Sequence, residues 1–176
     1  EVLKSIVPPE KSLEKIWIRP SGEMINHVGA TWIPADYYAE FLGEILGGRS
    51  TGVKITHLDA TGGWVIQDLG LGKSQEATSA YGTSYKDAVE LFEQAMNGKR
   101  PKIIIRERIE GQSVIDTESS LEATELARAK QEILIDEFNK WVFKDEARKA
   151  ELAKQFNIEM NSEVKRNYDG SHLTFP

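Results

Sequence analysis

The chain of 176 residues contains no cysteine, which excludes disulfide bridges, thiolate zinc sites and cysteine nucleophiles together. It also has no apolar run near the roughly 20 residues that a transmembrane helix needs, so we expect a cytoplasmic protein without a membrane partner. The formal net charge is −6, which argues against a broadly basic surface that coats nucleic acid. Local basic stripes can still bind phosphates when the acidic residues lie on another face.

An initiator methionine and a signal peptide are also missing, since the chain begins at Glu1 and residues 1–9 lack a charged and then apolar leader. Residues 168–176 show no periodicity of a terminal helix or strand. We therefore interpret the chain as part of a longer protein. Its predicted divisions are an irregular N-terminal segment at 1–30, an α+β core at 31–118, C-terminal helices packed on the core at 119–161, and a connector to a following domain at 162–176.

Periodic apolar residues predict two helices in the first hundred residues. The first begins at Pro34, which suits a first helical position, and ends before Gly47-Gly48. The second is capped by Ser84 and ends at Asn97-Gly98. Their apolar stripes are Tyr38, Phe41, Leu42 and Ile45 in the first helix, and Ala88, Leu91, Phe92, Ala95 and Met96 in the second.

Two further helices are predicted in the C-terminal part. A long one begins at Ser119 or Ser120, where the composition becomes rich in strong helix formers. It breaks at Asp145, the expected cap of the last helix. The apolar stripes are Leu134, Phe138, Trp141 and Val142, followed by Leu152 and Phe156. Core packing is the expected role of these stripes.

Two pairs of β-rich runs predict hairpins. The runs are 53–60 with 64–69, and 102–106 with 114–115. The first pair flanks Thr61-Gly62-Gly63, whose glycines tolerate a positive φ, and the second flanks a turn at Gly111. We expect an α+β fold in which both hairpins pair into one small antiparallel sheet, covered by amphipathic helices and joined to a long C-terminal helical pair.

A glycine-rich loop follows the first hairpin and ends in Gly72, Lys73 and Ser74, the last residues of a phosphate-binding loop. Backbone amides and the lysine would there hold phosphates. Against this, Gln67 occupies the position of the first glycine, and no acidic Walker-B strand follows. The alternative is an ordinary loop after a hairpin.

Metal binding is not expected, because His27, His57 and His172 lie far apart and have no ligand-like neighbour at i+3 or i+4. The pattern also predicts no cofactor and no catalytic residue.

Basic residues cluster beside the second hairpin, although the chain as a whole is acidic. Alternation along a strand places Lys102, Arg106 and Arg108 on one face and Ile103 and Ile105 on the other. That face could contact phosphates, and Glu107 and Glu110 are close enough in sequence to weaken its field. A solvated face that protects an edge strand from aggregation is the alternative.

A second candidate contact lies in the tail, where basic residues precede rings that could stack on unpaired bases. A connector packed against a following domain explains them equally well. The full set of candidate nucleic-acid-binding residues is Arg100, Lys102, Arg106, Arg108, Lys165, Arg166, Tyr168 and His172.

Four segments together resemble a known family. They are WIPADYYAEFL (32–42), YGTSYKDAVELFEQAMNG (81–98) with the proline that follows, AKQEILIDEFNKWVF (129–143) and YDGSHLTFP (168–176). They are similar to the segment that precedes the helicase domain in very large bacterial proteins of phages, plasmids and integrative conjugative elements. Those proteins are described as fusions of an adenine-specific DNA methyltransferase and a Swi/Snf-like helicase.

The resemblance implies a non-catalytic module of a mobile-element DNA helicase and methyltransferase protein in the bacterial cytoplasm. The module would position DNA or the motor, with DNA phosphates and the adjoining helicase domain as partners. It carries over no catalytic residue, because the methyltransferase motif is expected upstream and the helicase phosphate loop downstream. One alternative is a protein-interaction scaffold that does not bind DNA. Another is a degenerate nucleotide-binding unit that uses Lys73.

Overall fold

Hairpins and helices alternate along the chain, and the α+β class is confirmed in a computed structural model that describes residues 28–109 and 112–160. The helices are α1 (Ala35–Ile45), α2 (Ala88–Met96), α3 (Thr117–Lys144) and α4 (Glu146–Met160). The strands are β1 (Val53–Leu58), β2 (Gly63–Asp68), β3 (Ile105–Ile109) and β4 (Gln112–Asp116). Short 3₁₀ turns at Ser50–Gly52 and Leu71–Lys73 and a π turn at Glu76–Ala80 lie between them.

Two helices begin at aspartates rather than at the predicted serines. Asp87 caps α2, since its Oδ1 accepts a hydrogen bond from the Glu90 amide at 2.8 Å, and the prediction of Ser84 is wrong. Asp116 caps α3 in the same way, so this helix begins at Thr117, before both Ser119 and Ser120. A carboxylate both accepts from a free amide and opposes the positive end of the helix dipole, which favours aspartate at these positions.

The two hairpins form separate two-stranded sheets among the described residues, so the prediction of one joint sheet is wrong. β1 pairs with β2 from Val53↔Asp68 onward, and β3 pairs with β4 from Ile105↔Asp116 onward. The glycine prediction at the first turn holds, because Gly62 has a φ of 65°. In the second hairpin the strand begins at Ile105, later than predicted.

Helix side chains take the strand edges that a joint sheet would need. Glu93 of α2 accepts from the Ile66 amide at 2.8 Å, and Asn97, which directly follows α2, accepts from the Trp64 amide at 2.8 Å. We call Glu93 and Asn97 the α2 clamp. Four helical residues rise about 6.0 Å and two strand residues about 6.6 Å, so side chains at i and i+4 reach alternate backbone groups of a strand.

An equivalent pair on α3 holds the segment before β3. The Thr124 hydroxyl accepts from the Ile103 amide at 3.0 Å and donates to the Ile103 carbonyl at 3.2 Å. The Ser120 hydroxyl accepts from the Ile105 amide at 2.8 Å. We call Ser120 and Thr124 the α3 clamp. Because Ile103 bonds to this clamp rather than to a strand, β3 cannot start where the isoleucine run starts.

The core is an aromatic cluster shared by α1, α2 and α3. Tyr38 and Phe41 of α1 lie within 5.1–6.2 Å, between ring centroids, of Phe92 of α2 and Phe138 of α3. All four side chains are fully buried. One core therefore joins three helices that are distant in sequence.

The last helix docks on this core at Trp141. The guanidinium of Arg148 lies 3.4 Å from the centroid of the Trp141 ring, and Arg148 Nη1 donates to the Trp141 carbonyl at 2.8 Å. The predicted cap is confirmed, since Asp145 Oδ1 accepts from the Arg148 amide at 2.8 Å. Leu152 is fully buried.

Candidate nucleic-acid interface and the adjoining groove

One face of the second hairpin is basic. The strand register sets Arg106 opposite Ile115 and Arg108 opposite Ser113, and residues directly opposite each other in an antiparallel pair share a face. Glu107 lies between Arg106 and Arg108 along β3 and therefore projects from the other face of the hairpin. It lies on the face opposite the two arginines, and the expected weakening of their field by Glu107 stays a prediction. Glu110 lies outside the described residues.

Two more cations precede this strand. Arg100 and Lys102 lie on the irregular segment before β3 and are exposed, as are Arg106 and Arg108. None of these four residues forms an ion pair with another residue in the described ranges. The structure thus groups the four predicted cations of this region on and beside one hairpin. We call Lys102, Arg106 and Arg108 the basic row.

A groove of about 460 Å³ adjoins the basic row, between the segment before β3, strand β4 and helix α3. Its walls include the residues Ile104, Ile115 and Leu121, which are 51%, 51% and 62% exposed. The cations Lys102 and Arg128 also line it. An apolar concavity bordered by a few polar groups is the usual form of a recognition site.

Arg128, which lines the groove, has one buried donor without a partner. Its Nη1 pairs with Glu125 Oε1 at 2.8 Å, but its Nε is buried and has no hydrogen-bond partner among the described atoms. A buried donor without an acceptor costs about 1–3 kcal/mol.

The predicted phosphate loop holds a carboxylate instead of an open cradle. Asp68 Oδ1 accepts from the amides of Gly70 at 2.8 Å and Gly72 at 3.2 Å. The Ser74 hydroxyl accepts from the Ala77 amide at 3.1 Å, and Lys73 is exposed. Amides that already bind an anionic side chain are poor donors for phosphate, which supports the alternative of a loop after a hairpin.

Metal ligands do not assemble in the described part of the chain. No group of three or more His, Cys, Asp or Glu residues there could hold an ion. His57 instead meets Asp59, with 3.1 Å between Nδ1 and Oδ1, and packs edge-on against Trp64. Across residues 28–109 and 112–160, we find no helix with both the length and the apolar character to cross a bilayer.

Residues 27–162 match the protein-family model of a domain of unknown function, DUF8437. The chain belongs to this family. No curated protein and no solved structure matches the chain. The range that matches DUF8437 contains the hairpins, the basic row and the groove.

The tail candidates lie beyond both the DUF8437 match and the described residues. They are Lys165, Arg166, Tyr168 and His172. The predicted connector at 162–176 also lies outside the described residues, and the segment at 1–30 is described only from residue 28. These predictions therefore stay predictions.

The groove was missed in the sequence, although two signals for it exist. Three consecutive isoleucines cannot all lie on the buried face of a strand that alternates its faces, so at least one of them had to face away from the core. On α3, Leu121 and Arg128 are seven residues apart and share a helix face. That face is set apart from the buried stripe that contains Phe138, and only the tertiary structure brings Ile104 beside it.

Proposed function

We propose that this DUF8437 domain is a non-catalytic module of a large DNA-processing protein of bacterial mobile elements, and that it positions DNA beside the motor domain. The observation that carries the proposal is the basic row, whose three exposed cations form no ion pair with any described residue. The resemblance to segments before a helicase domain supports the same assignment.

Contact with DNA would be made mainly to phosphates. Single cations on a strand face provide charge, whereas base readout requires side chains that enter a groove of the duplex. Binding should therefore depend weakly on sequence and fall steeply with salt. The acidic remainder of the molecule would limit contact to one side.

The test is fluorescence anisotropy of labelled single-stranded, duplex and forked DNA at low and near-physiological salt. Reversing Lys102, Arg106, Arg108, Lys165 and Arg166 to glutamate should abolish salt-sensitive binding. The smaller change Arg106→Glu with Arg108→Glu should reduce the slope of log K against log salt by about 2, given roughly 0.9 per lost phosphate contact.

A matched control reverses two exposed cations near the first hairpin, Arg49→Glu with Lys54→Glu. This control changes the net charge by the same amount as Arg106→Glu with Arg108→Glu, and it should leave most of the DNA affinity. If the five-residue variant binds DNA as well as the parent, the assignment of the basic row to DNA is wrong.

The groove favours a second function, that of a protein-interaction scaffold. Three of its apolar wall residues, Ile104, Ile115 and Leu121, lie outside the core and are exposed. Contiguous exposed apolar surface beside charged groups often marks a protein contact. The two functions are compatible, because a module that positions DNA beside a motor must also hold a protein.

A further inference from the structure

The end of α2 places an asparagine directly before a glycine. Asn97 follows the last helical residue, and Gly98 has a φ of 66°. The Lys99 amide donates to the Gln94 carbonyl at 2.8 Å, which closes the helix end around a glycine in the left-handed region. Any side chain at position 98 would be strained by this φ. The backbone therefore requires glycine here.

Asparagine is required at the preceding position for a separate reason. Its side chain is the second member of the α2 clamp and bonds to the amide and the carbonyl of Trp64. Gly63 lies close against it, since a Cβ atom at Gly63 would come within 3.2 Å of Asn97 Oδ1. Two structural demands thus bring Asn97 and Gly98 together, and no other asparagine in the sequence is followed by glycine.

An asparagine followed by glycine can react within the chain. The Gly98 nitrogen attacks Asn97 Cγ, the bond from Cγ to Nδ2 breaks, and the proton of the Gly98 amide leaves with Nδ2 as ammonia. A five-membered succinimide remains, and water opens it at one of its two carbonyls to give aspartate or isoaspartate. Glycine favours the attack because it has no side chain to shield its amide nitrogen.

In the folded chain, both reacting groups are bound elsewhere. The Gly98 amide donates to the Ala95 carbonyl at 3.0 Å. Asn97 Nδ2 donates to the carbonyls of Trp64 at 2.8 Å and Glu93 at 2.9 Å, and Oδ1 accepts from the Trp64 amide. Two of these three side-chain bonds are made to the first hairpin. Release of the hairpin would therefore free the Asn97 side chain to turn towards Gly98.

Water for the second step has access to the site. A cavity of about 420 Å³ lies beside Asn97, with Gly62, Gly63 and Lys99 in its walls. Gly98 itself is exposed. Opening of the hairpin, rather than access of water, should therefore limit the reaction.

We propose that Asn97-Gly98 is a deamidation site that the first hairpin protects, and that it is modified when the hairpin leaves α2. An aspartate product keeps an acceptor for the Trp64 amide, but a carboxylate oxygen replaces the nitrogen that donated to the Trp64 and Glu93 carbonyls. An isoaspartate product also lengthens the backbone at the helix end. The modified chain therefore closes the hairpin less firmly, and the product marks molecules in which the hairpin has opened. The inference is independent of DNA contact and of the scaffold function.

The experiment incubates the full chain in neutral buffer and follows conversion of Asn97 by mass spectrometry of its proteolytic fragment. A synthetic peptide of residues 93–102 under the same conditions is the reference. The rate in the folded chain equals the peptide rate multiplied by the fraction of molecules in which the hairpin is open. We therefore expect the folded chain to react at least about tenfold more slowly than the peptide. Equal rates would overturn the proposal.

Glu93→Ala weakens the hairpin contact without changing the reacting pair. It removes the other bond of the α2 clamp, to the Ile66 amide, and should accelerate deamidation by about fivefold or more. Glu90→Ala is the matched control, because it makes the same charge change on the same helix and its carboxylate pairs with Lys86. Circular dichroism should show that both variants are folded. Equal deamidation rates in the two variants would refute control by the hairpin.

Hydrogen exchange separates release of the hairpin from unfolding of the whole chain. The Trp64 amide donates to Asn97 Oδ1, so it exchanges when the clamp opens. Across the parent and the two variants, the deamidation rate should change by the same factor as exchange at the Trp64 amide. If the rate instead follows exchange at the Phe138 amide in the core, while Trp64 exchanges faster, deamidation requires global unfolding and the proposal is wrong.

Discussion

At the scale of single residues, Asn97 connects α2 to the first hairpin. Its Oδ1 accepts from the Trp64 amide at 2.8 Å, and its Nδ2 donates to the carbonyls of Trp64 at 2.8 Å and Glu93 at 2.9 Å. One side chain thus satisfies three backbone groups. Removal of the side-chain amide would leave the Trp64 amide and carbonyl without this partner, whereas the Glu93 carbonyl keeps the backbone amide of Asn97 at 3.1 Å. An unsatisfied buried group costs more than the bond contributes.

We expect Asn97→Ala to lower the free energy of unfolding by about 2–3 kcal/mol, measured by urea denaturation at pH 7. Asn97→Asp keeps the acceptor but loses both donated bonds, so it should fall between alanine and the parent. Gln112→Ala, at an exposed position of β4, serves as the control and should stay within about 0.5 kcal/mol. A loss for Asn97→Ala no larger than the control would contradict this role.

Glu44 makes stability depend on pH. The indole of Trp141 donates to Glu44 Oε2 at 2.7 Å, and this bond, with help from Lys144, holds the pKa of the carboxyl below its ordinary value of 4.5. A depressed folded-state pKa means that the carboxylate stabilises the fold fully above the unfolded pKa. The contribution is lost as pH falls through the folded pKa.

The matched comparison is Glu44→Gln, which keeps an acceptor for the indole but cannot ionise. The parent should have the higher urea midpoint near pH 7, and its advantage should shrink as the pH falls below about 4.5. A difference that stays constant from pH 7 to pH 3 would show that the charge of Glu44 is not responsible.

At the scale of elements, periodicity was sufficient to predict all the helices and both hairpins that the structure describes. The exact starts were harder. Thr83 donates its amide to the Lys86 carbonyl at 2.8 Å, which closes a turn around Ser84. That turn delays α2 to Asp87. Both residues suit a cap, and only the turn decides between them.

Pairing between elements could not be predicted from local patterns. The hydroxyl that bonds to Ile103 comes from Thr124, 21 residues away. The residues around Ile103 carry no sequence pattern that predicts this bond. A threonine in a helix is also commonly interpreted as a solvent-facing residue or a weak helix former. The groove could not be predicted for the same reason, because its walls come from distant parts of the sequence. The cations of the basic row could be predicted because they lie within seven residues of one another.

Thr124→Val tests the α3 clamp with little change in shape. It removes the hydroxyl that serves both the amide and the carbonyl of Ile103, so the free energy of unfolding should fall by about 1–3 kcal/mol. Hydrogen exchange at the Ile103 amide should accelerate. Thr56→Val, at an exposed position of β1, should be close to neutral, and an equal effect of the two valines would refute the clamp.

At the scale of the whole molecule, the aromatic cluster makes one cooperative unit of the described fold. Phe138 stacks on Tyr38 at 5.1 Å between centroids, meets Phe41 edge-on at 5.2 Å, and also contacts Phe92. Its ring thus touches both of the other core helices. Damage at this position should spread to the hairpins that those helices hold.

Phe138→Ala should lower the free energy of unfolding by about 3–5 kcal/mol. Tryptophan fluorescence and far-ultraviolet circular dichroism should still report a single shared transition. Tyr85→Ala is the control, because Tyr85 is 54% exposed, and it should cause little change. Two separated transitions in the parent protein would contradict a single unit.

The clamps have a geometric limit that explains their size. From one clamp residue to the next, the helix rises about 6.0 Å and the strand about 6.6 Å. A third clamp residue would therefore be displaced along the strand by about 1.2 Å, and rotated around the helix by about 80°, relative to the first. The spacing of helix side chains therefore matches the spacing of strand backbone groups for only two residues in a row. The next position in the row of the α3 clamp is Arg128, and the mismatch leaves this residue available to the groove.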